Sequence, residues 1–344
     1  MYSESDLNSA VESGALSREA AEALRSHVAA GRHAPAVDEE HFRLLTGFND
    51  IFVAVALALL LAAIGQIGAA ITDAAGGLGV AVAAWFLAEY FTRRRRMALP
   101  SILLLLAFVG GVAGTLVGLV VTLNPDLPDA ANGVIAGAIG LAAAGAAWVH
   151  WRRFMVPITV AAGALALVGA VVGAVLFALP DEAARDAVAM PLALVGGVLL
   201  FGTAMWWDMS DTDRRTRRSD VAFWLHLAAA PLIAHPIFQM LGVFKGAIGA
   251  DVAVMVLLLY VAFGFVALAV DRRALLVSSL AYVLYALYAL FRSAGAVELG
   301  AAFTGLVIGS ALLTLSAFWQ PMRRIVVGLV GGLSTRLPPV ATVG

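Results

Sequence analysis

The chain has 344 residues, of which 62% are hydrophobic and 13% are charged, whereas soluble domains are about 45–50% apolar and about 25% charged. A water-soluble core of this size cannot hide such a surplus of apolar residues, so the composition excludes an ordinary soluble domain and favours a protein embedded in lipid. The net charge is −1 and the chain has no cysteine, which excludes disulfides, thiolate catalysis and thiolate metal sites.

Residues 1–47 are polar and of mixed charge, and they predict a cytoplasmic helical head followed by a linker. Leu7 and Val11 form one apolar stripe that ends at Gly14, and Ser17 is placed to cap a second short helix. We find no cleavable signal in this segment, so the first span is expected to act as the targeting signal. A head of this size cannot bury a core alone, and we expect it to pack on the inner loops, to bind a cytoplasmic protein partner or to stay partly mobile.

Ten apolar stretches follow the head, and each is long enough to cross the hydrocarbon layer as a helix, which takes about 20 residues. The predicted spans are residues 48–71, 75–91, 99–122, 132–149, 155–179, 189–207, 221–241, 250–270, 274–291 and 300–319. The predicted fold class is all-α, a polytopic transmembrane helix bundle over residues 48–320. Residues 321–344 are predicted to form a cytoplasmic tail.

The basic residues are concentrated in every second turn between these spans. The turns after spans two, four, six and eight, together with both terminal segments, hold 19 basic residues, and the other side holds Arg185, Lys245 and Arg292. Basic residues near span ends stay on the cytoplasmic side of the membrane, so both termini are predicted to lie in the cytoplasm. The protein itself is predicted to lie in the inner membrane of a bacterial cell. The outer loops are acidic, which indicates either a funnel for cations or tolerance of acids where basic residues are excluded.

Similar features recur along the spans. Trp85 precedes the cluster Arg93–Arg96, and Trp148 precedes Arg152 and Arg153, which indicates either duplication of a two-span unit or interface rules shared by all such hairpins. Small residues at four-residue spacing predict close helix packing within the bundle, with homodimerisation as the alternative. They are Gly110, Gly114, Gly118, Gly133, Gly137, Gly169, Gly173, Gly305 and Gly309.

Three short segments carry a family resemblance: the head from Leu7 to Leu24, the phrase Asn49-Asp50-Ile51-Phe52 and the phrase Trp224-Leu225-His226. The layout resembles uncharacterised bacterial multi-span proteins in which a short helical head precedes a bundle of spans. The resemblance covers the whole layout and implies no activity, cofactor or site residue.

Span seven carries an unusual number of polar groups and prolines. Pro231 and Pro236 each remove a backbone donor, so this helix is predicted to be broken and to face a cavity. His235 and Gln239 share a face and are candidate binding residues, while His226 lies half a revolution away from His235. The alternative is a kinked packing helix whose histidines bond to neighbouring carbonyls.

Two other spans complete the candidate cavity. Gln66 lies in span one, and Tyr282 and Tyr285 lie in span nine, where ordinary aromatic packing is the alternative explanation. Asp50 and Glu89 lie near span ends and are interpreted as structural anchors. The spans hold no clear mid-depth carboxylate, which argues against a pump built on a central acid.

The sequence predicts no enzyme. Ser278 and Ser279 lack a nucleophile-elbow context, and two histidines on opposite helix faces supply too few metal ligands, so neither a cofactor nor a metal site is expected. The arginine clusters are explained by topology, and no nucleic-acid partner is expected. The leading hypothesis is a permease-like protein that moves or binds a small-molecule solute. The alternative is a membrane scaffold or sensor whose head recruits a cytoplasmic protein, and an enzyme acting on lipids comes third.

Overall fold

A computed structural model describes residues 4–32, 48–123, 129–179, 181–212, 214, 216–243, 249–293, 300–332 and 337–339. Within these ranges all regular structure is helical, so the predicted all-α class is confirmed. Nine of the described helices are long and apolar enough to cross a membrane, and one bent helix pair could raise the count to ten. The chain is therefore a multi-pass membrane protein.

The head is a helical hairpin made of α1 (Glu4–Glu12) and α2 (Arg18–Arg32). The predicted break occurs at Gly14, whose φ of 73° is accessible to glycine at little cost. The predicted cap also forms, since the Ser17 hydroxyl accepts a hydrogen bond from the Ala20 amide at 3.1 Å. Arg25 on α2 donates to the Asn8 side chain on α1 at 2.9 Å and ties the two helices together. The linker that was predicted to follow lies outside the described residues.

The bundle begins with α3, and a π-helical turn at Glu89–Arg94 extends α4. Its helices are α3 (Phe48–Ala69), α4 (Asp73–Ala88), α5 (Ala98–Leu123), α6 (Asp129–Phe154), α7 (Ile158–Ala178), α8 (Glu182–Met209), α9 (Arg217–Met240), α10 (Ala250–Val270), α11 (Ala274–Ser293), α12 (Gly300–Ala317) and α13 (Trp319–Val330). Helix α12 covers most of the predicted tenth span, α13 covers the start of the predicted tail, and the two helices meet at a bend of 76°. Helix α13 buries one face, formed by Trp319, Arg323, Val326 and Val327.

The helical hairpin is the packing unit of the bundle. Helices α4 and α5, α6 and α7, and α8 and α9 pack along each other more extensively than any pair joined by the opposite turns. Among the described residues, the turns that close these pairs and the turn between α10 and α11 each contain one non-glycine residue with positive φ: Arg96, Met155, Arg214 and Asp271. This conformation is uncommon for residues with a side chain. We call the end of the bundle that carries these four turns the arginine end.

Glycines bring α4 and α5 into backbone contact. A Cβ atom on Gly111 would lie 2.7 Å from the Ala81 amide nitrogen, and one on Gly118 would lie 2.4 Å from the Asp73 carbonyl. In the next hairpin, a Cβ on Gly140 would lie 2.9 Å from the Ala170 Cα. Packing within the bundle therefore accounts for Gly118, which was predicted, and for Gly111 and Gly140, which were not, as small residues allow in membrane helices. A Cβ would meet nothing within 4 Å at Gly110, Gly169, Gly305 and Gly309.

Helix α9 is the most buried of the nine candidate spans. One part of its surface packs with α7 and α8 through Val221, Leu225 and Ala229. Another part packs with α10 and α11 through Ala234 and Phe238. Helix α9 thus contributes buried residues to two of the apolar clusters.

Substitution of Gly111 by alanine is expected to destabilise the protein by about 1 to 3 kcal/mol, because the new methyl group would overlap the backbone of α4. Gly110→Ala is the matched control, since its methyl group would point into open space and alanine favours helix. Tryptophan fluorescence during denaturation in detergent measures both variants. Equal stability of the two variants would contradict the close approach of α4 and α5.

Candidate functional site

The two prolines of α9 do not break it. The helix runs continuously from Arg217 to Met240, so the predicted double break is wrong. Pro236 has no amide hydrogen for the Leu232 carbonyl, and this carbonyl lies against Gly197 of α8, where a Cβ atom would come within 2.9 Å of its oxygen. Because Gly197 has no side chain, its Cα–H group can approach the Leu232 carbonyl, which Pro236 leaves without a helix partner. The proline therefore serves helix packing.

The predicted pair on α9 and α11 comes together at the edge of the bundle. His235 Nδ1 and the Tyr282 hydroxyl are hydrogen-bonded at 2.7 Å, and the Tyr282 ring stacks on Phe238 with centroids 4.5 Å apart. His235 is exposed, Gln239 is half-buried, and Tyr285 is 42% exposed.

The other two predicted residues lie elsewhere. Gln66 is exposed on α3, and α3 packs on α4 and α5, whereas α9 packs on α7, α8 and α11. His226 is 1% exposed and faces Asp208 on α8. The six residues predicted to line one cavity therefore occupy three different places.

His226 is hydrogen-bonded to a carboxylate that belongs to a buried ion pair at the arginine end. Its Nε2 lies 2.8 Å from Asp208 Oδ2, and a carboxylate only accepts, so Nε2 carries the proton. Arg272, from the turn between α10 and α11, donates to the same carboxylate, with its Nη2 2.6 Å from Oδ1 and its Nε 3.3 Å from Oδ2. The same Nη2 also reaches the Ser219 carbonyl on α9 at 3.1 Å. Asp208 and Arg272 are 1% and 2% exposed.

A second carboxylate, Asp271, continues this cluster. Arg214 donates from Nη1 to Asp271 Oδ2 at 2.9 Å and from Nη2 to the Asp271 and Val270 carbonyls at 3.0 and 3.3 Å. The Trp319 indole on α13 donates to Oδ1 at 2.8 Å, and the Nε of Arg323 lies 3.5 Å from the same oxygen. The bend between α12 and α13 places these two side chains on Asp271. Arg214 and Asp271 are both left-handed turn residues, so their ion pair stabilises two turns at once.

We call this cluster the charge network. It contains Asp208, Arg214, Ser219, His226, Asp271, Arg272, Trp319 and Arg323. It joins α8, α9, α13 and two turns, and the two carboxylates face three guanidinium groups. Burial of a lone charge costs several kcal/mol, and pairing with good geometry offsets most of that cost. Removal of one partner is therefore expected to be more harmful than removal of both.

The charge network holds neighbouring helices and turns together through ion pairs. The Ser219 hydroxyl contacts Arg272 at 3.3 Å, so it is not paired with the imidazole as an activated nucleophile would be. His226 Nδ1 has no hydrogen-bond partner among the described residues and lies in a buried setting beside the Phe201 ring. Among the described residues, no group of three or more histidine, cysteine, aspartate or glutamate side chains could hold a metal ion.

Asp208 and Asp271 were not among the predicted site residues. Topology alone accounts for the arginines in these turns, but not for the carboxylates that share the turns with them. The sequence signal that could have identified them is an acidic residue at a span end on the arginine side. The positive-inside rule does not account for acidic residues at that position.

A second buried histidine occurs in the first half of the bundle. His150 on α6 is fully buried among the rings of Trp85, Phe108 and Phe154. Its Nδ1 lies 3.4 Å from the Thr159 hydroxyl, a weak contact. Near it, Glu89 forms an exposed bidentate pair with Arg153 at 2.6 and 3.0 Å, in line with the anchoring role predicted for this carboxylate.

Comparison of the chain with protein-family models, with curated proteins and with solved structures finds no match. The resemblance to bacterial multi-span proteins with a helical head stays a prediction.

Proposed function

We propose that this multi-pass membrane protein is a permease-like protein of a bacterial inner membrane that moves or binds a small solute. In this proposal the arginine end faces the cytoplasm, and the charge network closes the solute path at that end. The observation that carries the proposal is the buried Asp208–Arg272 pair with His226 bound to the same carboxylate. Ionisable groups inside a membrane bundle are costly and commonly mark a pathway or a switch.

The connections of the network support a gating role. Asp208 belongs to α8, while its two partners come from α9 and from the turn before α11. If these hairpins separated at the arginine end, the same carboxylate and guanidinium groups would be exposed to water and hydrated. In this proposal the cluster alternates between the paired, dry arrangement and a separated, hydrated one, as alternating access requires.

Helix α9 supports the proposal along its length. His226 lies near the arginine end, and His235 and Gln239 lie two to four turns further along the helix. The buried residues between them include Ala228, Ala229 and Ala230, whose small side chains fill little space. In this proposal His226 belongs to the gate at the arginine end, and His235 and Gln239 contact the solute further along α9.

Opening of the gate is testable with single cysteines, because the natural chain contains none. Ala229 is fully buried one turn beyond His226. We expect Ala229→Cys to resist a membrane-impermeant maleimide in the native background and to react from the arginine end once Asp208→Asn is added, because loss of the carboxylate charge weakens the network.

Ala84→Cys is the matched control, since Ala84 is also fully buried but lies in α4. It should stay unreactive in the Asp208→Asn background. Equal labelling of both cysteines would indicate general unfolding, and protection of both would show that the network is no gate. Either result contradicts the proposal.

The alternative function is a scaffold or sensor that recruits a cytoplasmic protein through the head. It is favoured by the head, which forms a compact unit of its own. Leu24 on α2 is 42% exposed and available to a partner.

Deletion of residues 1–40 separates the two functions. The permease proposal expects solute uptake into proteoliposomes, across a panel of amino acids, sugars and cations, to survive the deletion and to fall in His235→Ala and Gln239→Ala. Loss of cellular function with a folded bundle and no uptake of any solute would favour the scaffold.

A further inference from the structure

The end of α4 presents a face on which aromatic and charged residues alternate. Phe86, Glu89, Tyr90, Arg93 and Arg94 line an open recess of about 570 Å³ at the arginine end. Phe86 is 70% exposed and Tyr90 is 42% exposed. The recess therefore has an apolar part, one turn deeper in the span, and a cationic part at the end of the helix.

The π-helical turn explains why two arginines share this face. The Arg95 amide bonds to the Tyr90 carbonyl, five residues back, at 3.0 Å. A turn widened by one residue keeps both Arg93 and Arg94 near Glu89, where an α-helix would direct Arg94 further around. Turns of this kind recur at functional sites because they change the direction of individual side chains.

The single carboxylate of the recess is already engaged. Arg153 from α6 binds both Glu89 oxygens, and Arg93 reaches Oε2 at 3.3 Å. Arg95 packs against Tyr90 and donates to its hydroxyl at 3.1 Å. No carboxylate of the described residues pairs with Arg94. The recess thus has an excess of guanidinium groups over carboxylates.

This excess distinguishes the turn between α4 and α5 from the turns of the charge network. There Arg214 and Arg272 are buried against Asp271 and Asp208. Topology explains why arginines lie at this end, but it does not explain why one face combines paired arginines with exposed aromatic rings.

We propose that the recess binds the phosphate of an anionic phospholipid. Arg93 and Arg94 hold the phosphate oxygens, for which the guanidinium fork is well suited, and an acyl chain lies along Phe86. Glu89, held by Arg153, keeps Arg93 in position. The recess lies at the end of a candidate span that closes with Arg94. Arginines that end a span lie at the polar boundary of the bilayer, which is where lipid headgroups also lie.

Native mass spectrometry of the full chain in detergent tests this site. The probes are phosphatidylglycerol, phosphatidylcholine with the same acyl chains, and inorganic phosphate. We expect phosphatidylglycerol to be retained about tenfold more than phosphatidylcholine, and the double variant Arg93→Gln with Arg94→Gln to lose this preference. The double variant Arg217→Gln with Arg218→Gln is the control, since these adjacent arginines are also exposed at the arginine end.

Each outcome decides the proposal. Retention of the preference in the control and its loss in the first variant support the site. Equal loss in both variants would show diffuse attraction to the arginine end and would overturn it, as would equal retention of the two lipids by the native chain. Displacement of phosphatidylglycerol by millimolar inorganic phosphate would show that the recess binds free phosphate and would overturn the proposal that it binds a lipid.

Discussion

A charge can be kept inside a membrane bundle only if an opposite charge is kept with it. In this protein that constraint acts at one end of the bundle, where Asp208 and Arg272 are nearly inaccessible to water and 2.6 Å apart. Neither residue could be buried without the other, because desolvation of a single ion exceeds what packing returns. The positions of α8, α9 and the turn before α11 are consequently coupled.

The same constraint organises the turns. Each hairpin reverses direction at the arginine end through a residue with positive φ, which costs conformational energy for any residue with a side chain. At two of these turns the strained residues, Arg214 and Asp271, bind each other. Asp271 also holds the indole of Trp319, so α13 is fixed to the same point. The ion pairs therefore stabilise the backbone conformation that brings them together.

Much of the architecture follows from the sequence, because the strongest signals are local. Apolar length defines the spans, Ser17 and Gly14 define the head, and some of the predicted glycines, such as Gly118, define helix contacts. The continuity of α9 did not follow, since a packed neighbour with Gly197 compensates for the carbonyl that Pro236 leaves without a donor. This compensation is tertiary and has no local signature.

The candidate site was harder to predict for the same reason. The pairing of His235 with Tyr282 joins residues 47 positions apart, and the pairing of Asp208 with Arg272 joins residues 64 apart. Helical periodicity assigns a residue to a face but does not choose the helix that lies opposite. His226 was singled out for its chemistry, and only the packing of α8 on α9 reveals the carboxylate that it binds.

A double-mutant cycle on Asp208 and Arg272 measures whether each of these buried charges depends on the other. Denaturation in detergent would compare Asp208→Asn, Arg272→Gln and the double variant, with Glu89→Gln and Arg153→Gln as an exposed pair for reference. The account predicts a coupling of about 2 kcal/mol or more for the buried pair, because either single change leaves one ion buried without its partner, and a much smaller coupling for the exposed pair. Additive effects at Asp208 and Arg272 would contradict it.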